Sequence, residues 1–193
     1  MKKLLVATRN INKIKEIAKK LKDFQIQSLL DYPDLPEIDE TGKTFFENAK
    51  LKARTIYNIL HIPILADDSG LEVDCLGGAP GIYSARYAGE GATQNQLIDK
   101  LLKEMQSCKN RKAHFTTVMV FIDVHGVLYR ATGKVYGAIL EKSIGHKGFG
   151  YDPVFYYPEF GKAFAQLDRD SKNSVSHRGK ALEKIIHKVK EVL

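Results

Sequence analysis

The sequence has 193 residues, of which 44% are hydrophobic and 27% charged, with a formal net charge of +7 at pH 7. This length suits one or at most two domains with a hydrophobic core, and the charge predicts an anionic partner of unspecified kind. No apolar run approaches the roughly 20 residues that span a bilayer, and the short run Met1–Ala7 does not resemble a signal peptide. Cys75 and Cys108 have no metal-binding or redox spacing, which predicts free thiols in a reducing cytoplasm.

The first third of the chain predicts alternating strands and helices. Short apolar runs predict strands at Lys3–Ala7, Phe24–Leu30 and Ile62–Ala66. Apolar residues with helical spacing predict a helix from about Asn12 to Leu21. Thr44 and Glu47 form a predicted capping box, which begins a helix that ends near Asn58. Between them, Asp31–Gly42 contains two prolines and five acidic residues, which indicates an exposed loop.

The sequence pattern is different in the rest of the chain. A glycine-rich loop, Gly77–Gly91, precedes a predicted helix at Thr93–Met105. Two β-branched runs flanking His125 and Gly126 predict a hairpin of long strands at Thr116–Val124 and Val127–Ala138. A glycine- and aromatic-rich segment, Gly145–Tyr157, is followed by a predicted final helix at Ser176–Val192. Early βα units with a later hairpin predict an α/β fold with a mixed sheet. No linker marks a boundary, so residues 1–193 are expected to form one domain.

Thr8, Asn10 and Lys13 lie where the first predicted strand passes into the first helix. A helix N-terminus has unpaired amide donors and a partial positive charge, both of which favour a phosphate group. The two short polar side chains and the lysine cation would add to such a site. An ordinary helix cap with a surface lysine is the alternative.

The stretch ILADDSGLEV places two adjacent carboxylates, Asp67 and Asp68, directly after an apolar, strand-like run. Ligands collect at the carboxyl ends of strands in α/β sheets, and Mg²⁺ binds through one or two carboxylates together with substrate phosphates. The pair therefore predicts a magnesium site, beside which Ser69 adds a hydroxyl. A pair of solvated loop acids is the alternative. A second acidic ligand could come from the preceding loop, which contains Glu37, Asp39 and Glu40.

Two later segments carry further candidates. Aromatic residues separated by glycine, as in Phe149-Gly150-Tyr151-Asp152, can hold a flat base by stacking, worth roughly 1–3 kcal/mol. A core aromatic cluster beside a turn is the alternative. The segment from Lys172 to Arg178, which includes His177, places possible anion or carbonyl donors at the start of the last helix. Cations oppose the helix dipole there, which slightly favours a functional role.

Five segments in the same order resemble those of the inosine/xanthosine triphosphate pyrophosphatases, which hydrolyse deaminated purine nucleoside triphosphates. They are ATRNINK, ETGKTFFENAKLKA, ILADDSGLEVDCLGGAPGIYSARYAG, KGFGYDPVF and KNSVSHRGKAL, and they extend from residue 7 to residue 182. Five long segments in register are far more specific than one short motif. The resemblance implies one elongated α/β unit of two lobes, with a long mixed sheet flanked by helices and a nucleotide cleft between the lobes. It also implies a cytoplasmic homodimer that uses Mg²⁺.

The resemblance implies roles for individual residues. Asp68 would be the catalytic carboxylate and a metal ligand, with Glu40 as second ligand and Asp39 as the alternative. The other implied residues contact the substrate: Thr8, Asn10 and Lys13 at the phosphates, Ser69 beside the catalytic carboxylate, Phe149, Gly150, Tyr151 and Asp152 at the base, and Lys172, His177 and Arg178 as further contacts. Gln166 departs from the family pattern, in which glutamate more often follows Phe-Ala.

The resulting hypothesis is an enzyme that converts ITP, dITP or XTP and water to the nucleoside monophosphate and pyrophosphate. Lys13 and Lys172 would neutralise phosphate oxygens in this reaction. One alternative is a pyrophosphatase for other modified nucleotides, such as methylated pyrimidines. Another is a nucleic-acid-binding module, whose affinity would fall steeply with salt and would not depend on Asp68. That module would leave the acidic loop and the aspartate pair unexplained. We therefore expect a nucleotide substrate and neither a nucleic-acid partner nor a membrane.

Overall fold

The computed structural model describes residues 2–193, which form seven strands and five α-helices. The strands are β1 (Lys2–Val6), β2 (Phe24–Ser28), β3 (Ile64–Val73), β4 (Lys112–Ile122), β5 (Leu128–Ile139), β6 (Phe155–Tyr157) and β7 (Lys162–Ala163). The helices are α1 (Ile11–Lys20), α2 (Phe45–Leu60), α3 (Gln94–Glu104), α4 (Arg169–Val175) and α5 (His177–Val192). Among residues 2–193, no helix combines the length and the apolar character needed to cross a bilayer.

The strands form one mixed sheet in the order β2-β1-β3-β4-β5-β6-β7. β1 is parallel to both of its neighbours, whereas β6 is antiparallel to β5 and β7. β4 and β5 are adjacent and are joined by a short turn, as the hairpin prediction requires. The α/β class with a mixed sheet flanked by helices is therefore confirmed.

The chain divides into two compact units, and the first includes residues up to Asp68, Thr117–Gly133 and Arg178–Leu193. In this unit, alternate residues of the central strands pack on different helices. Leu4, Val6 and Leu65 share an apolar cluster with residues of α1 and α5, whereas Leu5, Ala7, Ile64 and Ala66 share another with residues of α2. Successive strand side chains point to opposite faces. One face of β1 and β3 is therefore covered by α1 and α5, and the other by α2.

The second unit consists of Ser69–Thr116 and Lys134–His177 and has its own apolar core. The rings of Phe115 and Phe155 lie 4.7 Å apart, and Phe155 lies 4.9 Å from Phe164. Leu101 of α3 belongs to the same cluster and is fully buried. Aromatic side chains bury large areas, so this core fixes the irregular chain that follows β5.

β3 is longer than the sequence predicted. The predicted strand ends at Ala66, but β3 continues to Val73 and contains both aspartates. Asp67 is 1% exposed and Asp68 is 5% exposed, so neither is a solvated loop acid. The hydrophobic pattern stops at Ala66 because the buried positions beyond it are occupied by charges whose partners come from distant parts of the chain.

Short elements near the C-terminus were not predicted. β6, β7 and α4 contain three, two and seven residues, which is too few to produce a recognisable periodicity. Lys172 therefore lies on α4, a separate short helix, and the final helix begins at His177.

α2 begins at the predicted position with a different cap. The Thr44 hydroxyl accepts a hydrogen bond from the Glu47 amide at 3.1 Å, as predicted. The Glu47 carboxylate accepts from the Lys43 amide at 2.6 Å rather than from Thr44. Only half of the predicted capping box is formed, because the carboxylate reaches one residue further back.

The prediction of two free thiols is wrong, because Cys75 and Cys108 form a disulfide with their Cα atoms 6.1 Å apart. Cys75 lies in the turn after β3, and Cys108 follows α3, 33 residues later. The two residues belong to the second unit, whose packing brings together positions that are distant in sequence.

Candidate active site

The β1–α1 junction carries two of the predicted phosphate-binding side chains. Asn10 caps α1, and its Oδ1 accepts hydrogen bonds from the amides of Asn12 at 2.9 Å and Lys13 at 3.3 Å. The Asn10 amide donates to Thr8 Oγ1 at 3.1 Å. Two amides that we expected to be available to a phosphate are therefore already capped. A phosphate at this helix end would depend more on the side chains and the helix dipole.

Asp67 and Asp68 point to opposite faces of the sheet. Leu65, two residues before Asp67, packs with α1 and α5, whereas Ala66, two residues before Asp68, packs with α2. Side chains two residues apart on a strand lie on the same face. Asp67 therefore faces α1 and α5, and Asp68 faces α2. The two adjacent carboxylates do not share one space, and each has its own set of polar partners.

Asp67 is surrounded by cations. Its Oδ2 lies 3.0 Å from Lys13 Nζ on α1 and 3.4 Å from Arg178 Nε on α5. Arg178, which is 3% exposed, also forms an ion pair with Glu16 of α1. Burial alone would raise the pKa of Asp67, but Lys13, Arg178 and Lys52 hold that pKa well below its ordinary value. Asp67 is therefore an anion at neutral pH.

Asp68 contacts α2. Its Oδ2 accepts a hydrogen bond from Asn48 Nδ2 at 3.1 Å, and its Oδ1 lies 3.8 Å from Lys52 Nζ. Burial raises the pKa of Asp68, and nearby Glu40 adds to that rise, whereas Lys52 and Lys13 oppose it. The net shift is upward. A carboxylate whose pKa is raised is better matched to proton transfer near neutral pH than an ordinary one.

The two predicted metal ligands converge on one ammonium group. Lys52 Nζ lies 2.5 Å from Glu40 Oε1, and the same atom approaches Asp68. Burial would lower the pKa of Lys52, but Asp68 and Glu40 raise it above its ordinary value. Within residues 2–193, no group of three or more His, Cys, Asp or Glu residues is arranged to hold a metal ion. Two converging carboxylates nevertheless fit Mg²⁺, which commonly takes one or two protein carboxylates and completes its shell with phosphates and water.

The predicted base-binding segment forms a separate cluster in the second unit. Asp152 Oδ2 accepts from the Phe149 amide at 2.8 Å and lies 2.5 Å from Lys172 Nζ. The Lys172 ammonium also lies 4.6 Å from the centre of the Phe149 ring. Asp152 and Lys172 are 2% and 6% exposed, respectively, so this ion pair is buried. The structure thus places Lys172 with the aromatic segment.

Glycine is required beside this ion pair. Gly148 has a φ of +78°, and a Cβ atom there would lie 2.1 Å from Asp152 Oδ2. Gly150 has a φ of +60°, in the left-handed region, with open space around it. Any other residue at position 148 would displace the carboxylate that holds Phe149 and Lys172 together.

The remaining predicted residues differ in exposure. Tyr151 is 3% exposed and donates from its hydroxyl to the Ser84 carbonyl at 2.9 Å, so its ring belongs to the core. Burial raises the pKa of Tyr151. Phe149 is partly exposed and is the better stacking surface. His177 is buried and stacks on Phe115, with centroids 4.8 Å apart and planes at 13°. Ser69 follows Asp68 on β3 and is half-buried.

Asn48 and Glu16 were not predicted as site residues, and Lys52 was only a weaker candidate for phosphate binding. Asn48 and Lys52 lie four residues apart on α2, a spacing that places both on one helix face, and Lys13 and Glu16 lie three apart on α1. These helical spacings were the sequence signals that could have indicated Asn48, Lys52 and Glu16 as site residues. Phe115 had none, because its stacking on His177 joins residues 62 positions apart in sequence.

Lysines of α1 and α2 lie beside buried carboxylates of β3, an arrangement of charges that suits an enzyme acting on phosphate groups with a metal ion. Comparison with known proteins makes this specific: a profile of the Ham1 family matches residues 4–188, and the chain belongs to that family.

Individual relatives and a solved structure match most or all of this chain. A dITP/XTP pyrophosphatase of Desulfotalea psychrophila is 50% identical over 184 residues, covering 94% of this chain and 82% of the relative. A protein of the same name from Clostridium perfringens is 47% identical over the full length of both chains. The solved structure of the Staphylococcus aureus Ham1 protein superposes with a TM-score of 0.90 at 37% identity, covering 98% of this chain and 99% of the other.

Proposed function

We infer that this protein is a nucleoside triphosphate pyrophosphatase that hydrolyses the deaminated purine nucleotides ITP, dITP and XTP to the monophosphate and pyrophosphate. The relatives named dITP/XTP pyrophosphatase, at 47–50% identity over most or all of the chain, support this assignment. The structural observation that carries it is the environment of Asp68. Asp68 is a buried carboxylate of raised pKa that lies beside a lysine and a second carboxylate, and this set of groups suits metal-assisted hydrolysis of a phosphoanhydride.

In the proposed reaction, water cleaves the anhydride bond between the α- and β-phosphates. Asp68 accepts the proton from that water, and the Asn48 amide orients the Asp68 carboxylate. Lys52 and Lys13 offset the negative charge that develops on the phosphate oxygens. Thr8 and Asn10 add polar contacts at the N-terminus of α1. Positioning of water and phosphate by these groups supplies much of the acceleration.

We propose Mg²⁺ as the cofactor, with Asp68 and Glu40 as its protein ligands and Asp39 as the alternative to Glu40. When bound, Mg²⁺ would neutralise phosphate charge and favour departure of pyrophosphate. The Lys52 ammonium already lies close to both carboxylates, which supports a cation-binding role for that pair.

The base is assigned to the second cluster. Phe149 offers a partly exposed ring for stacking, and the Asp152–Lys172 pair holds the backbone of that segment. Donors from His177, Arg178 or backbone amides of the Phe149–Asp152 segment would pair with the acceptor oxygen at C6 of hypoxanthine or xanthine. Adenine has an amino donor at that position, so a site with buried donors there rejects it. Ser69 is assigned a substrate contact beside Asp68.

The decisive experiment is a substrate panel with Mg²⁺ in which pyrophosphate release is measured from ITP, XTP, dITP, GTP, ATP and dTTP. We expect release from the first three to exceed that from the others. Asp68→Asn, measured in parallel, controls for contaminating activity. Faster release from dTTP, the methylated pyrimidine nucleotide of the panel, would favour the alternative, a pyrophosphatase for other modified nucleotides.

We also propose that residues 1–193 act as one nucleotide pyrophosphatase domain and that the protein is a homodimer, as the family resemblance implies. Light scattering coupled to size exclusion should give twice the chain mass of 21.7 kDa. A monomer across the accessible concentration range would contradict the dimer. A cytoplasmic location stays a prediction, and the Cys75–Cys108 disulfide removes the free-thiol argument behind it.

A further inference from the structure

One oxygen of Asp67 joins two helices of the first unit. Asp67 Oδ2 lies 3.0 Å from Lys13 Nζ on α1 and 3.4 Å from Arg178 Nε on α5. The other oxygen, Oδ1, is buried and has no hydrogen-bond partner within residues 2–193. Both cations therefore meet the carboxylate at Oδ2. Nothing in the proposed reaction requires Asp67 itself to touch a substrate.

Both cations depend on a nearby anion. The side chains of Lys13 and Arg178 are 15% and 3% exposed, respectively, and a buried cation without a partner is strongly destabilising. Burial lowers the pKa of Lys13. Among the neighbouring charges, Asp67 opposes this lowering most and Asp68 opposes it less, whereas Lys52 and Arg178 lower the pKa further. Lysine also has many rotamers, so an ion pair at its end limits where the ammonium group lies.

We propose that Asp67 is a positioning residue, which holds Lys13 and Arg178 at one carboxylate oxygen and acts on the triphosphate only through Lys13. This inference rests on the proposed function, because it takes Lys13 as a phosphate-binding residue. It separates the roles of two adjacent carboxylates on opposite faces of β3. Loss of Asp67 should weaken phosphate binding, whereas loss of Asp68 should slow the chemical step.

The test measures binding of pyrophosphate with Mg²⁺ by isothermal titration calorimetry, which needs no turnover. We compare Asp67→Asn, Lys13→Ala and the double variant with the wild-type protein. Asp67→Asn should weaken binding about tenfold when Lys13 is present, but less than about twofold when position 13 is alanine, because coupled residues are non-additive. The matched control is Asp23→Asn, the same substitution at a solvent-exposed aspartate that pairs with Lys190 at 2.6 Å. It should leave the affinity unchanged.

Unchanged affinity in Asp67→Asn would overturn the proposal. So would equal weakening in both backgrounds, since that is the result of a general structural role. If circular dichroism shows that Asp67→Asn is unfolded, a second cycle with Lys13→Ala and Arg178→Lys decides. Non-additive effects of that pair on pyrophosphate affinity, about threefold or more, are expected because the two cations share one oxygen. Additive effects would overturn the shared arrangement. Failure of the proposed function would be distinguishable from these outcomes, because the wild-type protein would then release no pyrophosphate from ITP.

Discussion

At the scale of single residues, Asp67 and Asp68 show how position on a strand sets chemistry. The residues are adjacent, yet the pKa of Asp67 is lowered by three cations whereas that of Asp68 is raised by burial and by Glu40. A carboxylate with a strongly lowered pKa holds protons poorly and is a weak base. We therefore assign proton transfer to Asp68 alone.

Asp68→Asn should reduce turnover by about 100-fold or more, because the amide keeps the shape but cannot accept the proton or bind a cation as an anion. Initial rates of pyrophosphate release from ITP give the effect, and a melting curve shows whether the variant stays folded. A folded variant that retains more than about a tenth of the wild-type rate would remove Asp68 from the catalytic role.

Lys13→Ala should weaken ITP binding by at least about tenfold while changing inosine binding little, because charge-assisted contacts to phosphate are lost and contacts to the base are kept. Calorimetric titrations with both ligands measure this. Equal losses for the nucleoside and the triphosphate would contradict a phosphate-binding role.

Arg178→Ala should narrow the preference for ITP over ATP, chiefly by slowing ITP hydrolysis, if the arginine reads the C6 oxygen. The substitution also leaves Glu16 and Asp67 without this cation, so the rate ratio must be read only from protein that still melts cooperatively. An unchanged ITP/ATP ratio would assign Arg178 to the phosphates instead.

At the scale of elements, α4 depends on its cap. Asp168 accepts hydrogen bonds from the Asp170 amide at 2.9 Å and the Ser171 amide at 2.8 Å. The hydrogen bonds from the amide and the hydroxyl of Ser171 lower the pKa of Asp168. A lowered folded-state pKa means that the cap contributes stability above the ordinary aspartate pKa of about 3.9 and loses it as the pH falls through the lower value.

The melting temperature of Asp168→Ala should therefore lie below that of the wild-type protein at pH 6, and the difference should shrink below about pH 4. Asp168→Asn serves as the control, since its amide oxygen can still cap the helix without titrating. A pH-independent difference between wild-type and alanine proteins would show that the charge of Asp168 does not stabilise α4.

Elements with a long, regular pattern of hydrophobic residues were predictable from the sequence. Elements whose buried positions hold charged residues in ion pairs were not. The helix predicted from Asn12 to Leu21 corresponds to α1, and the hairpin corresponds to β4 and β5. The predicted strand ended at Ala66, before the end of β3, because aspartates such as Asp67 and Asp68 are usually exposed and do not extend a buried hydrophobic run. Only the fold supplies the lysines and the arginine that allow both aspartates to be buried.

At the scale of the whole molecule, the net charge of +7 was a poor guide to the site. Lys13, Lys52 and Arg178 are each paired with carboxylates of the first unit. The cations of the candidate site therefore do not form an open basic surface. Local motifs and their spacing, rather than composition, selected the candidate residues, and the family resemblance assigned their roles. Their pairing, Asp67 with α1 and α5 and Asp68 with α2, could not be predicted, because it depends on which helix covers each face of the sheet.

The alternation along β3 makes this strand intolerant of changes in length. Removing or adding one residue between Ile64 and Asp67 would turn Asp67 toward α2 and Asp68 toward α1 and α5, so each carboxylate would meet the other's partners. A substitution affects one side chain, whereas such an insertion or deletion would exchange both. The acidic loop Asp31–Gly42 has no such constraint along most of its length. Length variation among homologous chains should therefore concentrate in that loop and be absent from the first four positions of β3.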